Sequence, residues 1–309
     1  YCLALLAELN LGNNALKEVP TVLGHLESLR KLYLFSNRIT VVPPDVIGGL
    51  QNLVVLNLNH NQIQRLPPEI KRYIYGIVVS KILQHLSMMD NKLEEVPAEL
   101  GHLTKLSEIN LTSNKLSWLP QQLYQCKDLT KVHVARNKLT SLPELTFKHT
   151  LQNLTTFHVT QGIRALTKLQ VVDVAGNKLS MFPVEFHLLS LKELYCEGNR
   201  FVHCEPMPSE QDAEVFSLKV IVMEVQQTQQ DLLNHLLCKL SIIVYLSSGS
   251  CCALCLGPFL TTWLECVHFI SLRKDMKMKS SLTIPVRALL CSYKCFNTDG
   301  HPYYGVATR

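Results

Sequence analysis

The chain has 309 residues, of which 47% are hydrophobic and 18% are charged, and its formal net charge is +5. This composition excludes an intrinsically disordered chain because ample apolar surface is available for burial. So mild a charge does not indicate a nucleic-acid partner, and the length allows one elongated domain and a second, smaller one.

A repeated pattern starts near the N-terminus. The spelling LxxLxLxxNxL first runs from Leu6 to Leu16 and continues into an apolar residue and a proline, Val19-Pro20. Copies of the pattern begin at Leu6, Leu29, Leu53, Leu83, Leu106, Leu129, Leu169 and Leu191. Self-similarity at a period of about 20 to 29 residues with this spelling predicts a leucine-rich-repeat solenoid.

The spacing within each copy explains how the repeats stack. Alternate residues of LxxLxL face one side of a short strand, so the leucines turn inward. Stacked copies then form a parallel sheet over a continuous core, and the asparagine of each copy is expected to bond buried backbone groups. The proline ends the strand and starts a return helix or turn. The predicted fold class is therefore α/β, with a solenoid of about eight repeats over residues 1–203.

The full spelling LxxLxLxxNxLxxLPxxLxxLxxL resembles the 23-residue class of intracellular leucine-rich-repeat proteins, which includes plant Ras-group and animal Ras-binding scaffolds. The resemblance covers roughly two thirds of the chain, from Leu6 to Phe201. It implies a curved solenoid that binds other proteins with its concave face, in cytosolic signalling or ubiquitin-adaptor assemblies. The matching residues are structural, so they identify no partner.

Two stretches interrupt the rhythm, at residues 71–82 and 144–162. One interpretation is a pair of binding loops, because insertions in repeat proteins map to one face. The other is an artefact of alternative splicing or intron retention. We favour the second because the inserts are apolar rather than loop-like.

Strand parity selects the side chains on the concave face, because positions three, five and seven of each copy project from the sheet. The partner-binding candidates chosen in this way are Tyr33, Phe35, His85, Met89, Lys131, His133, Asp173 and Tyr195. Exposed aromatic residues and methionine are frequent interface anchors, although single exposed aromatics are also ordinary on any surface. The two histidines are expected to be solvated polar contacts rather than catalytic or metal groups.

Residues 204–246 follow the array and form a linker with a predicted helix. Ser209 provides a helix start, and leucines and valines recur beyond it at helical spacing. We expect this helix to cap the open core of the last repeat. A helix that docks a partner is the alternative.

The remaining segment, residues 247–309, is rich in cysteine and supports conflicting readings. Two close pairs, Cys252 with Cys255 and Cys291 with Cys295, are what a tetrahedral zinc–thiolate site needs. Such a zinc would be structural, because protein fills all four positions. Cys251, or Cys266 with His268, are alternative ligands, and reduced core cysteines are an alternative to any metal. A third reading is a membrane span near 240–262, which has no charged residue.

Catalytic motifs such as GxxxxGK[ST], HExxH and GxSxG do not occur in the sequence. The predicted function is a non-catalytic, cytoplasmic and monomeric scaffold or adaptor that binds protein partners, without nucleic acid or membrane. Cys126 and Cys196 take inward positions without an obvious mate, which fits a reducing compartment. A membrane-anchored repeat protein is the alternative function.

Overall fold

The computed structural model describes residues 5–66, 73–74, 77–78, 82–143, 163–184, 186–202, 250–256, 258–259, 264–291, 293–298 and 300–305. The chain divides into two compact units. The first comprises Tyr1–Phe201 with Leu272–Ser281, and the second Val202–Ser271 with Leu282–Arg309.

The first unit contains a parallel sheet of eight strands, each from one repeat. Its strands in spatial order are β1 (Glu8–Asn10), β2 (Lys31–Tyr33), β3 (Val55–Asn57), β6 (His85–Ser87), β7 (Glu108–Asn110), β8 (Lys131–His133), β9 (Val171–Asp173) and β10 (Glu193–Tyr195). The middle residues pair in register, as Leu32 pairs with Leu56 and Leu86 with Ile109. These four side chains are buried, which confirms the predicted solenoid.

Most return segments are short 3₁₀ helices rather than α-helices. They span Thr21–His25, Ala98–His102, Gln121–Gln125, Ile163–Ala165 and Phe186–Leu188, whereas α1 covers Pro44–Gly49. Pro97 and Pro120 precede their helices, and their carbonyls accept the first turn's hydrogen bonds from Leu100 and Leu123 at 3.1 Å. A proline fits this position because its fixed φ leads into the turn and no amide hydrogen is needed.

The repeated asparagines form a buried ladder. Its buried members are Asn37, Asn61, Asn91, Asn114, Asn137 and Asn177. The Asn114 amide nitrogen donates to the carbonyls of Met88 at 2.9 Å and Leu111 at 3.0 Å, while its oxygen accepts the Leu93 amide at 2.9 Å. Each asparagine therefore joins its own repeat to the preceding one and satisfies backbone groups that have no access to water, as expected.

The residue before every asparagine adopts a left-handed backbone. The φ angles are 55° at Asn13, 52° at Ser36, 54° at His60, 54° at Asp90, 55° at Ser113, 53° at Arg136, 64° at Gly176 and 70° at Gly198. For most residues this backbone conformation costs about 1–2 kcal/mol of conformational free energy. Glycine avoids the cost, and asparagine and aspartate reduce it. The last two repeats use glycine and avoid this cost.

A substitution at Gly176 tests this backbone requirement. A Cβ placed there would meet its nearest neighbours, in Arg136, at an ordinary 3.5 Å, so space is not limiting. We expect Gly176→Ala to lower the free energy of unfolding by about 1 kcal/mol. Gly176→Asn is expected to cost less despite its larger side chain, because asparagine tolerates this conformation. Urea denaturation compares the two, and a larger loss for asparagine would show that crowding decides instead.

The predicted interruptions are described only in part. Within 71–82, the strands β4 (Tyr73–Ile74) and β5 (Ile77–Val78) pair antiparallel. The insert at 144–162 and the predicted capping helix at 204–246 lie outside the described residues. Their proposed roles stay predictions.

The second unit is built around an antiparallel hairpin. Strands β13 (Leu264–Ser271) and β14 (Thr283–Leu290) pair along their whole length, and β15 (Tyr303–Gly305) adds to β13. Two further elements are a helical turn, α2 (Tyr293–Phe296), and the short pair β11 (Ser250–Cys251) with β12 (Pro258–Phe259). One cluster of buried core residues around these elements consists of Cys252, Leu264, Cys266, Ala288, Leu290 and Cys295.

The predicted span near 240–262 has no helical counterpart in what the structure describes of it, since β11 and β12 occupy part of this range and 240–249 lie outside. In the described part of the chain, no helix has both the length and the apolar character needed to cross a membrane.

Candidate protein-binding face and metal centre

The outward side chains of the eight strands form one continuous surface, which we call the sheet face. They flank the middle residue of each strand, which is buried in β2, β3 and β6 to β10 and partly buried in β1, and they stack in register from repeat to repeat. The first row is Glu8, Lys31, Val55, His85, Glu108, Lys131, Val171 and Glu193. The second row is Asn10, Tyr33, Asn57, Ser87, Asn110, His133, Asp173 and Tyr195.

The charges in the middle of the sheet face are balanced between neighbouring repeats. The Glu108 carboxylate lies 3.6 Å from His85 Nδ1 on one side and 3.6 Å from Lys131 Nζ on the other. His133 Nδ1 lies 3.9 Å from the Asp173 carboxylate. Such exposed pairs contribute little to stability, but they leave this region polar and nearly neutral.

Tyr195 is the most exposed aromatic candidate on the sheet face, with 45% of its surface accessible. Its hydroxyl donates a hydrogen bond to the Glu193 carboxylate at 2.9 Å. That bond and the Glu193 charge raise the pKa of the Tyr195 phenol, and the carboxylates of Asp173 and Glu197 add smaller effects. Tyr195 is therefore an exposed aromatic side chain surrounded by carboxylates.

Phe35 has a structural task at the other end of the sheet face. A Cβ added to Gly12 would lie 2.5 Å from the Phe35 ring, so the ring rests directly on the first repeat's backbone. The glycine makes this approach possible. Phe35 therefore stabilises the end of the array besides being a candidate contact.

The four cysteines of the predicted metal site come together in the second unit. The sulfurs of Cys252, Cys255, Cys291 and Cys295 all lie within 4.8 Å of one another. Cys291 Sγ is 3.6 Å from Cys255 Sγ and 3.6 Å from Cys295 Sγ. In a tetrahedral zinc centre with Zn–S bonds of about 2.3 Å, neighbouring sulfurs are about 3.8 Å apart. The observed arrangement fits that geometry.

The hairpin explains why the two cysteine pairs are distant in sequence. Cys252 and Cys255 lie in a tight turn after β11, in which the Leu256 amide donates to the Cys252 carbonyl at 3.0 Å. Cys291 follows β14 directly, and Cys295 lies in α2. Strands β13 and β14 carry the chain out and back, so Cys255 and Cys291 meet although they are 36 positions apart.

The surroundings of Cys252 favour its thiolate form. Burial alone raises the pKa of this thiol, but hydrogen bonds from the backbone of Cys255, Cys291 and Leu254 and from the Cys255 side chain outweigh burial and lower it to about 7. A metal ligand must be deprotonated, so this shift supports coordination. By contrast, burial chiefly raises the pKa of Cys266 to about 12.

Comparison with known proteins agrees with the repeat geometry. The family profile described as "Leucine rich repeat" matches residues 29–70. A solved leucine-rich-repeat protein of Leptospira interrogans superposes with a TM-score of 0.51 at 32% sequence identity, covering 62% of this chain and 43% of that one. The chain contains a leucine-rich-repeat domain.

Two curated relatives are named for leucine-rich repeats. The chain resembles leucine-rich repeat-containing protein 69 of Xenopus laevis, with 40% identity over 140 residues, 41% of this chain and 39% of the relative. The protein of the same name from Mus musculus is 35% identical over 133 residues, 41% of this chain and 38% of the relative. The match therefore spans less than half the length of either relative.

The leucine-rich-repeat domain places all eight predicted contact residues at its surface. Six lie in the two rows of the sheet face, whereas Phe35 and Met89 follow two positions after their strands. His85, Lys131 and Tyr195 are exposed, and the other five are partly buried. Their binding role stays a prediction. Cys126 and Cys196 are buried in the core as expected, and burial chiefly raises the pKa of each thiol to about 12.

Sequence reasoning missed a brace behind the cysteine cluster. The Tyr303 hydroxyl donates to the carbonyl of Ala253, between Cys252 and Cys255, at 3.0 Å. The Tyr303 amide donates to His301 Nδ1 at 3.1 Å, and His301 Nε2 bonds the Phe296 carbonyl at the end of α2. The brace thus holds both cysteine-bearing segments. No sequence motif predicts these hydrogen bonds, because the residues that form them come together only in the folded unit.

Cys266 and His268, two of the three alternative ligands, do not belong to the cluster. The group of four sulfurs found among the described residues does not include Cys266 or His268. Cys266 instead lies in the hydrophobic core of the second unit, and the His268 ring packs edge-on against Tyr303 at 5.4 Å. The structure therefore favours the pairs selected by their spacing in the sequence.

Proposed function

We propose that the protein is a non-catalytic scaffold or adaptor that binds a protein partner on the sheet face, as the concave side of its leucine-rich-repeat domain. One observation carries the proposal. Eight in-register strands direct their leucines into the core and leave a continuous surface of polar and aromatic side chains. Repeat arrays of this kind commonly use such extended surfaces for binding.

Within this proposal the contact residues have different tasks. Tyr195, Tyr33 and Met89 provide partly apolar area at separated points of the sheet face, and such residues are common interface anchors. The paired charges around Glu108 provide polar contacts that orient the partner. We further propose a cytoplasmic, monomeric protein in signalling or ubiquitin-linked assembly.

Affinity capture with matched variants tests the sheet face. The test variant carries Tyr33→Ala, Met89→Ala and Tyr195→Ala, and leaves Phe35 intact because its ring supports the first repeat. The control removes three exposed apolar side chains elsewhere, with the changes Val22→Ala, Trp118→Ala and Leu188→Ala. The recovery of partners that bind the unmodified chain should fall at least about tenfold with the test variant. Their recovery with the control should be unchanged. Equal recovery with both variants would contradict the proposal.

The second unit supports a separate proposal, a structural zinc held by Cys252, Cys255, Cys291 and Cys295. Its support is the clustering of four sulfurs within 4.8 Å of one another together with the lowered pKa of Cys252. Zinc bound by four thiolates would have no open position for water or substrate. Its contribution would be folding free energy in a unit whose own core is small.

Removing the brace hydroxyl tests how the site is held. Tyr303→Phe loses the hydrogen bond to Ala253 but keeps the ring, and outer-shell changes of this kind weaken metal binding about 10- to 100-fold. We therefore expect zinc to transfer to a chromogenic chelator at least about tenfold faster. Tyr304→Phe is the control, because its ring packs on Phe269 instead. Equal rates of zinc release from the two variants would show that the Tyr303 hydroxyl does not help to hold the site.

A further inference from the structure

We propose that Cys255 and Cys291 form an oxidation site for a hydroperoxide, which converts the two thiols into one disulfide. The four clustered cysteines differ in accessibility. Cys255 is exposed and Cys291 is partly exposed, whereas Cys252 and Cys295 are buried. A small oxidant therefore reaches Cys255 first.

The position of Cys291 makes it the resolving thiol. Its sulfur lies 3.6 Å from Cys255 Sγ, and small side-chain rotations would bring the pair to the disulfide bond length of about 2.05 Å. Cys295 is as close to Cys291, but it is buried and cannot meet the oxidant first. Exposure therefore decides that Cys255 is oxidised first, and the 3.6 Å separation of the two sulfurs makes Cys291 its partner.

The chemistry balances in two steps. The Cys255 thiolate attacks the terminal oxygen of the hydroperoxide, so that an S–O bond forms and the O–O bond breaks. The leaving alkoxide or hydroxide takes a proton from solvent and departs as an alcohol or water, and Cys255 becomes a sulfenic acid. The Cys291 thiolate then attacks the Cys255 sulfur, so that an S–S bond forms, the S–O bond breaks, and hydroxide leaves as water after taking a proton. Two thiols lose two electrons together, and the hydroperoxide gains them.

The consequence rests on the proposed zinc site. A disulfide removes two of the four thiolates, and the two that remain cannot complete a tetrahedral zinc centre. Oxidation would therefore release the metal. The new bond would also join the turn containing Cys255 to the end of β14, so the cysteine-bearing segments stay linked after zinc leaves.

The test uses the full chain with its zinc content measured beforehand. The protein is treated with hydrogen peroxide, remaining thiols are alkylated under denaturing conditions, and disulfide-linked peptides are identified by mass spectrometry. We expect Cys255–Cys291 to be the main linkage, with one zinc released per disulfide. A dominant Cys252–Cys255 or Cys291–Cys295 linkage, or overoxidation without a disulfide, would overturn the proposal.

Variants separate this proposal from the zinc proposal. After chelator treatment, Cys255→Ser is expected to form peroxide-dependent disulfides at least about tenfold more slowly than the unmodified chain, because the accessible nucleophile is gone. Cys126→Ser, which changes a buried thiol of the repeat domain, should leave the rate unchanged. Unchanged rates in Cys255→Ser would reject the oxidation site. A purified protein without zinc would reject only the metal, since the disulfide identity is still measured.

Discussion

Replacing Asn114 with alanine is expected to lower the free energy of unfolding by about 3–5 kcal/mol. The side chain is buried and bonds four backbone groups, the carbonyls of Met88, Leu111 and Thr112 and the amide of Leu93. Alanine leaves these groups without partners in the core, and each unsatisfied group costs about 1–3 kcal/mol. Because the bonds to Met88 and Leu93 join Asn114 to the preceding repeat, the substitution should weaken the interface between the two repeats.

Asn110 provides the matched control in the same repeat. It lies on the sheet face, and its side-chain oxygen accepts one hydrogen bond, from the Thr112 amide at 3.1 Å. Asn110→Ala should therefore cost less than about 1 kcal/mol. Urea denaturation followed by circular dichroism measures both variants. Equal losses would mean that the ladder does not couple the repeats.

Replacing Cys295 with serine is expected to abolish zinc binding in the second unit. Cys295 lies in α2, and its sulfur is one of the four in the cluster and is buried. A serine hydroxyl at this position would be a poor zinc ligand. Native mass spectrometry should count one zinc per unmodified chain and none for the variant. Because metal binding supplies folding free energy, the hairpin amides should also exchange with solvent much faster.

The control for this prediction is Cys266→Ala. Cys266 is also buried and packs in the same core, but its sulfur is not among the four. Cys266→Ala should lower the stability of the unit by removing packing contacts in its core, but the chain should still bind one zinc. Zinc retained by Cys295→Ser, or lost equally by Cys266→Ala, would contradict the assigned ligand set.

The repeat fold could be predicted because the residue pattern within each copy determines which side chains are buried and where the chain turns. Leucines at alternate positions must turn inward, and an asparagine such as Asn114 must satisfy buried backbone groups wherever the chain turns. The 3₁₀ form of most return segments was not predictable, because a return segment of this length can also form an α-helix, as Pro44–Gly49 does. The left-handed position before each asparagine is visible in the sequence only at Gly176 and Gly198.

The candidate sites were predictable to different extents. Close cysteine pairs indicated the cluster because a tetrahedral centre needs four sulfurs, and the intervening hairpin accounts for their separation. The brace of Tyr303 and His301 could not be foreseen, since its contacts depend on how β15 joins the sheet. Likewise, the ring of Phe35 meets Gly12 only after stacking.

Site-specific photo-crosslinking tests the central claim most directly. Benzoylphenylalanine replaces Tyr195 or His85 on the sheet face, and in the comparison it replaces Val22 or Leu188, which are exposed outside this face. The sheet-face positions should yield the same crosslinked partner in cells, and the comparison positions should not. Adducts formed from Val22 or Leu188, with none from Tyr195 or His85, would contradict the assignment of the sheet face as the binding surface.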